Sequence, residues 1–85
     1  MAIQCDITFA CNQAEFNMVT KQLDRKGRYE RCPRWWNFWM DDDCTVVWWW
    51  DTCTVCFEGP TNEAALKLMK RFRKILKEVR VEINS

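Results

Sequence analysis

All six tryptophans of this 85-residue chain lie between Trp35 and Trp50, inside the stretch RWWNFWMDDDCTVVWWW that begins at Arg34. No other feature restricts the fold as strongly. Two runs, Tyr29 to Met40 and Thr45 to Phe57, are aromatic and β-branched, the composition of strands, and Asp41, Asp42 and Asp43 separate them. The expectation is a hairpin. With Asp42-Asp43 as a two-residue turn, Trp36 pairs with Trp49, Phe38 with Val47 and Cys32 with Cys53. Alternation then sends Trp36, Phe38, Val47, Trp49, Val55 and Phe57 to one face, and Trp35, Trp39, Val46, Trp48 and Trp50 to the other. The first face is expected to pack under helices; the second leaves four indoles on the open side. This register sets Arg34 against Asp51 on the core face, where a charged pair is costly. A bulge within Trp48–Trp50, or a three-residue loop, relieves that cost and carries some indoles across. Under either parity each strand has tryptophan on both faces, so some indoles must lie outside the helix-facing core.

The flanks supply helices. Residues 2–10 alternate, with Ile3, Cys5, Ile7 and Phe9 opposite Gln4, Asp6 and Thr8, the period of a half-buried strand. Asn12 and Glu15 have the spacing of a capping box, and Phe16, Val19 and Leu23 recur at helical intervals up to Gly27. A helix over about 13–26 is expected. After Gly59-Pro60, Thr61 caps a second helix whose apolar stripe is Ala65, Leu68, Met69, Phe72, Leu76 and Val79. Val81 and Ile83, alternating with Arg80, Glu82 and Asn84, suggest a short final strand. The order β-α-β-β-α-β over one domain, residues 1–85, predicts a ferredoxin-like sandwich: a four-stranded antiparallel sheet with both helices on one face. That topology hosts many unrelated functions and identifies none.

Composition narrows the function classes. With no histidine, Ser/His and Cys/His nucleophile arrangements are excluded, and two glycines cannot build a phosphate-cradling loop. Asp41–Asp43 lacks the spaced ligands and distal Glu of a calcium loop, and a solvated turn explains it better. Six cysteines with a single C-x-x-C (Cys53, Cys56) do not form paired zinc hooks. No metal, cofactor or catalytic residue is expected, and the chain reads as a non-enzyme. MAIQCDITFA lacks a basic stretch followed by an apolar core, and no apolar run suffices to span a membrane, so a cytoplasmic protein with free thiols is expected (the host cytoplasm, if viral).

What remains is binding. Contiguous exposed aromatics mark an interaction site, and tryptophan dominates binding hot spots. The expectation is a small protein-binding module that engages a protein partner through Trp35, Trp39, Trp48 and Trp50, with Asp41, Asp42 and Asp43 as an acidic knob. Small size, thiols and the lack of catalytic groups suggest a phage or mobile-element inhibitor of a host complex, such as an anti-CRISPR. Net charge is only +1, yet residues 61–80 hold seven basic against two acidic side chains. Lys67, Lys70, Arg71, Lys74 and Lys77 form a secondary basic face, read either as solvated or as steering for a charged partner. Two alternatives stand beside this reading. One is single-stranded nucleic acid stacked on the open-face indoles, as in RNA-binding domains of this topology, although the basic helix lies behind the sheet. The other is a homodimer closed through the same face.

Overall fold

The computed structural model describes the backbone of residues 3–4, 7–23, 28–32, 35–39 and 44–84, and the side chains of 7–23 and 44–84. The elements are β1 (Ile3–Gln4), β2 (Phe9–Ala10), α1 (Gln13–Leu23), β3 (Arg28–Cys32), β4 (Trp35–Trp39), β5 (Thr45–Trp49), β6 (Thr54–Gly59) and α2 (Asn62–Ile83). The protein is mixed α+β, with two helices and an antiparallel sheet. Strands run in the order β1-β6-β5-β4-β3, and β2 also pairs with β6.

Both expected helices form where their caps are written. Asn12 Oδ1 accepts from the Glu15 amide at 2.8 Å and Glu15 Oε1 from the Asn12 amide at 3.0 Å, closing the capping box. Helix α1 is described to Leu23, and residues 24–27, with the expected stop at Gly27, lie outside the described residues. Thr61 accepts from the Ala64 amide at 3.1 Å and opens α2. Phe16, Val19 and Leu23 of α1 and the expected stripe of α2 are buried, together with Val46 and Trp48 of β5 and Val55 and Phe57 of β6. One core therefore lies between the two helices and one sheet face. Phe72 is its hub, within ring contact of Phe9, Phe16 and Phe57.

The strands depart from expectation in four ways. First, the run from Tyr29 to Met40 is not one strand. Cys32 pairs with Trp35 and Arg28 with Trp39, so the chain folds back between them. Pro33 lies in that interval; it lacks the N–H a ladder needs and its fixed φ favours a turn. Second, Thr45 to Phe57 is also two strands, joined by a turn at residues 50–53 whose Cys53 takes a left-handed φ of 52°. Asp51 thus sits in an exposed turn and not on a core strand, its expected partner Arg34 lies outside the described residues, and Cys32 pairs with Trp35 instead of Cys53.

Third, the β4–β5 register is Trp35 with Trp49, Trp36 with Trp48, and Phe38 with Val46. An odd number of residues, 40–44, connects the last pair, Trp39 and Thr45, and this shifts pairing by one from the expected register. Fourth, no strand forms at 81–84. Helix α2 continues to Ile83, and the Asn84 amide donates back to the Arg80 carbonyl. Nothing between residues 62 and 83 is Pro or Gly, and a propagating helix gains one bond per added residue.

The ferredoxin-like sandwich is accordingly not what the strands build. Its fourth strand is helical, and four successive strands, β3 to β6, pair in sequence as a meander with the N-terminal segment on the far side of β6. That segment is irregular as well. Gln4 pairs with Glu58 and Phe9 with Val55, so four residues stand opposite two, and Ile7 is 42% exposed instead of joining the core face.

Candidate functional site

The one-residue shift in register decides which indoles are available. Trp48, expected on the open side, is 3% exposed and belongs to the core. Its ring stacks on Phe16 at 5.8 Å and 19°, and its Nε1–H donates to the Cys11 carbonyl at 2.7 Å. Trp49, expected inward, is 41% exposed on the opposite face. There its Nε1 lies 3.4 Å from Cys56 Sγ. Trp50, expected on the open face of a continuous strand, instead opens the turn and is 50% exposed there.

Cross-strand partners share a sheet face. Positions 35 and 39, in register with Trp49 and Thr45, therefore belong to the face of Trp49, and position 36 to that of Trp48. The side chains of Trp35, Trp36 and Trp39 lie outside the described residues, as do Asp41, Asp42 and Asp43. The far face is not bare: Thr45, Val47 and Cys56 are buried although they stand outside the helix-side core.

A chain of hydrogen bonds fixes the end of the molecule where Trp49 and Trp50 emerge. The Cys11 amide donates to the Cys53 carbonyl at 2.8 Å, tying the start of α1 to the turn. Arg80 Nη2 donates to the Ala10 carbonyl at 2.9 Å, and Arg80 Nε pairs with Glu15 Oε2 at 2.8 Å, tying the last turns of α2 to the same place. The hydrogen bond from Arg80, reinforced by the bond from the Asn12 amide, holds the Glu15 carboxyl below its ordinary value, and Glu15 raises Arg80. Val81 is 71% and Ile83 50% exposed, because α2 runs on past the core. Of the large exposed apolar side chains, Trp49 and Trp50 stand at the turn after β5, and Val81 and Ile83 on the last turn of α2. The sequence signal for two of them was misread: Val81 and Ile83 alternate like a strand but stand on a helix that overshoots its sheet.

Burial pushes the Cys11 thiol up to about 12, with Glu15 adding to the shift and Arg80 opposing it. Such a thiol is inert as a nucleophile. Cys11, Cys44 and Cys56 are buried and Cys53 is exposed. Among the described residues no three His, Cys, Asp or Glu side chains gather to hold a metal ion. No helix among them is long and apolar enough to cross a membrane.

The secondary basic face divides in two. Lys70, Lys74 and Lys77, joined by Arg73, line a cleft of about 560 Å³ with Ile7 and Met69, whereas exposed Lys67 and Arg71 do not line it. No family model, curated protein or solved structure matches the chain.

Proposed function

We propose that this protein is a small non-enzymatic binding module that engages a protein partner through the end of the sheet bearing Trp49 and Trp50. The carrying observation is their exposure, 41% and 50%, at adjacent positions where β5 enters its turn. An indole buries on the order of 200 Å² on binding and keeps a donor that tolerates a wet rim, so two neighbouring indoles suit a hot spot. Their backbone is anchored by the turn's bond to α1, which limits the entropy lost on docking. Positions 35 and 39, on the Trp49 face by register, extend the same surface. The contribution expected of Trp48 passes to Trp49. A module that only binds acts by occupying its partner, the mode of a phage or mobile-element inhibitor of a host complex; size and composition support that setting.

Affinity capture from the lysate of the cell in which the protein acts tests this, run with wild type and with Trp49→Ala/Trp50→Ala, folding being checked by circular dichroism. Loss of the captured protein with retention of fold is the expected result. Equal capture by both would place the interface elsewhere. Titration with a single-stranded oligonucleotide, followed by tryptophan fluorescence, separates base stacking from protein binding: quenching at low salt that is lost in the double variant would replace this reading.

A further inference from the structure

The cleft on the flank of α2 calls for an occupant of its own, independent of the tryptophan end. Lys70, Arg73, Lys74 and Lys77 are spaced i, i+3, i+4 and i+7, so one helix flank carries four cations over two turns. Like charges at these spacings destabilise a helix, and among the described residues none of the four is paired with a carboxylate. A solvated convex helix face would account for that charge alone. Here the cations border an open cleft: half-exposed Ile7 lines it together with them, and buried Met69 adjoins them. The cleft, about 560 Å³, has room for a few side chains.

We infer that this cleft is a docking site for an acidic segment of a partner protein that also carries an aliphatic side chain. Its carboxylates neutralise Lys70, Arg73, Lys74 and Lys77, and its aliphatic group sits between Ile7 and Met69. Charge complementarity selects an acidic occupant. The lining favours protein over nucleic acid, since among the described residues no aromatic ring borders the cleft for a base to stack on. The exposed indoles Trp49 and Trp50 lie at the turn end of β5 and do not line it.

The test uses a fluorescein-labelled peptide, Glu-Glu-Leu-Glu-Glu-Leu-Glu-Glu, and fluorescence anisotropy at low ionic strength. Wild type is expected to bind it, and Lys70→Glu/Lys74→Glu to weaken binding by about tenfold or more. Lys67→Glu/Arg71→Glu makes the same charge change outside the cleft and is expected to weaken binding by no more than about twofold, the share left to long-range attraction. Ile7→Ser is expected to weaken the leucine-bearing peptide and leave an all-glutamate peptide unchanged. Circular dichroism confirms that each variant folds. Failure of wild type to bind, equal losses in the two double variants, or indifference of the leucine-bearing peptide to Ile7→Ser would each overturn the inference. So would tighter binding and displacement of the peptide by a single-stranded oligonucleotide of matched charge.

Discussion

Trp48 joins three parts of the protein through one side chain: it stacks on Phe16 of α1, donates to the Cys11 carbonyl ahead of that helix, and stands on β5. Trp48→Ala removes packing and hydrogen bond together, and about 3–5 kcal/mol of stability should go with them. Trp48→Phe keeps a ring but leaves the Cys11 carbonyl without its indole donor, a loss of about 1–3 kcal/mol. Urea midpoints at constant slope would measure both, and a Phe variant as unstable as the Ala variant would show that the hydrogen bond dominates. Cys11 adds a pH dependence of definite sign. Its folded value of about 12 lies above the ordinary 9.0, so below pH 9 folded and unfolded chains are equally protonated at this group. As pH rises from about 9 toward 12 only the unfolded chain releases the proton, and stability falls by up to about 1.4 kcal/mol per pH unit from this group. The same burial predicts that Cys53 reacts with iodoacetamide in the native state while Cys11, Cys44 and Cys56 react only on unfolding, as mass spectrometry would report.

At the scale of elements, Gly59 ends β6 where α2 begins to pack over it. A methyl group there would stand 3.1 Å from the Ala65 amide nitrogen, 3.2 Å from Cys44 Sγ and 3.3 Å from Ala64 Cβ. Backbone cannot swing aside, so Gly59→Ala should cost about 1–3 kcal/mol in thermal unfolding. Adding Cys44→Ala should recover nothing, since it clears only the sulfur and opens a cavity of its own. How far such elements could be read from sequence depended on where the information lay. The capping box at Asn12 and Glu15 and the cap at Thr61 are local, and both helices formed where they pointed. The apolar stripe of α2 was legible for the same reason, whereas its overshoot was not: Val81 and Ile83 span too few residues for alternation to be told from the edge of a helix. The strand breaks between Cys32 and Trp35 and in the turn before Thr54 were outweighed by the aromatic composition on either side. Register was the least legible, because the parity of one loop decides it, and one residue exchanged the faces of Trp48 and Trp49.

Across the whole molecule charge is polarised. Residues 61–80 hold seven basic and two acidic side chains, leaving six basic and ten acidic elsewhere, while the net charge is only +1. Such a molecule lacks the self-repulsion that keeps strongly charged proteins apart. Its basic helix can attract the acidic remainder of a neighbour, and that attraction must be screened as the Debye length shrinks from about 30 Å at 0.01 M salt to about 8 Å at 0.15 M. Static light scattering at pH 7 is therefore expected to show attraction between molecules at low ionic strength that fades at physiological salt. The exposed indoles Trp49 and Trp50 predict the opposite dependence if two copies meet there, because burial of apolar surface is not weakened by screening. A dimer that persists at 0.15 M salt and is lost in Trp49→Ala/Trp50→Ala would assign that end to self-association. A monomer at that salt leaves it to a different protein, the outcome expected from the binding role proposed for it.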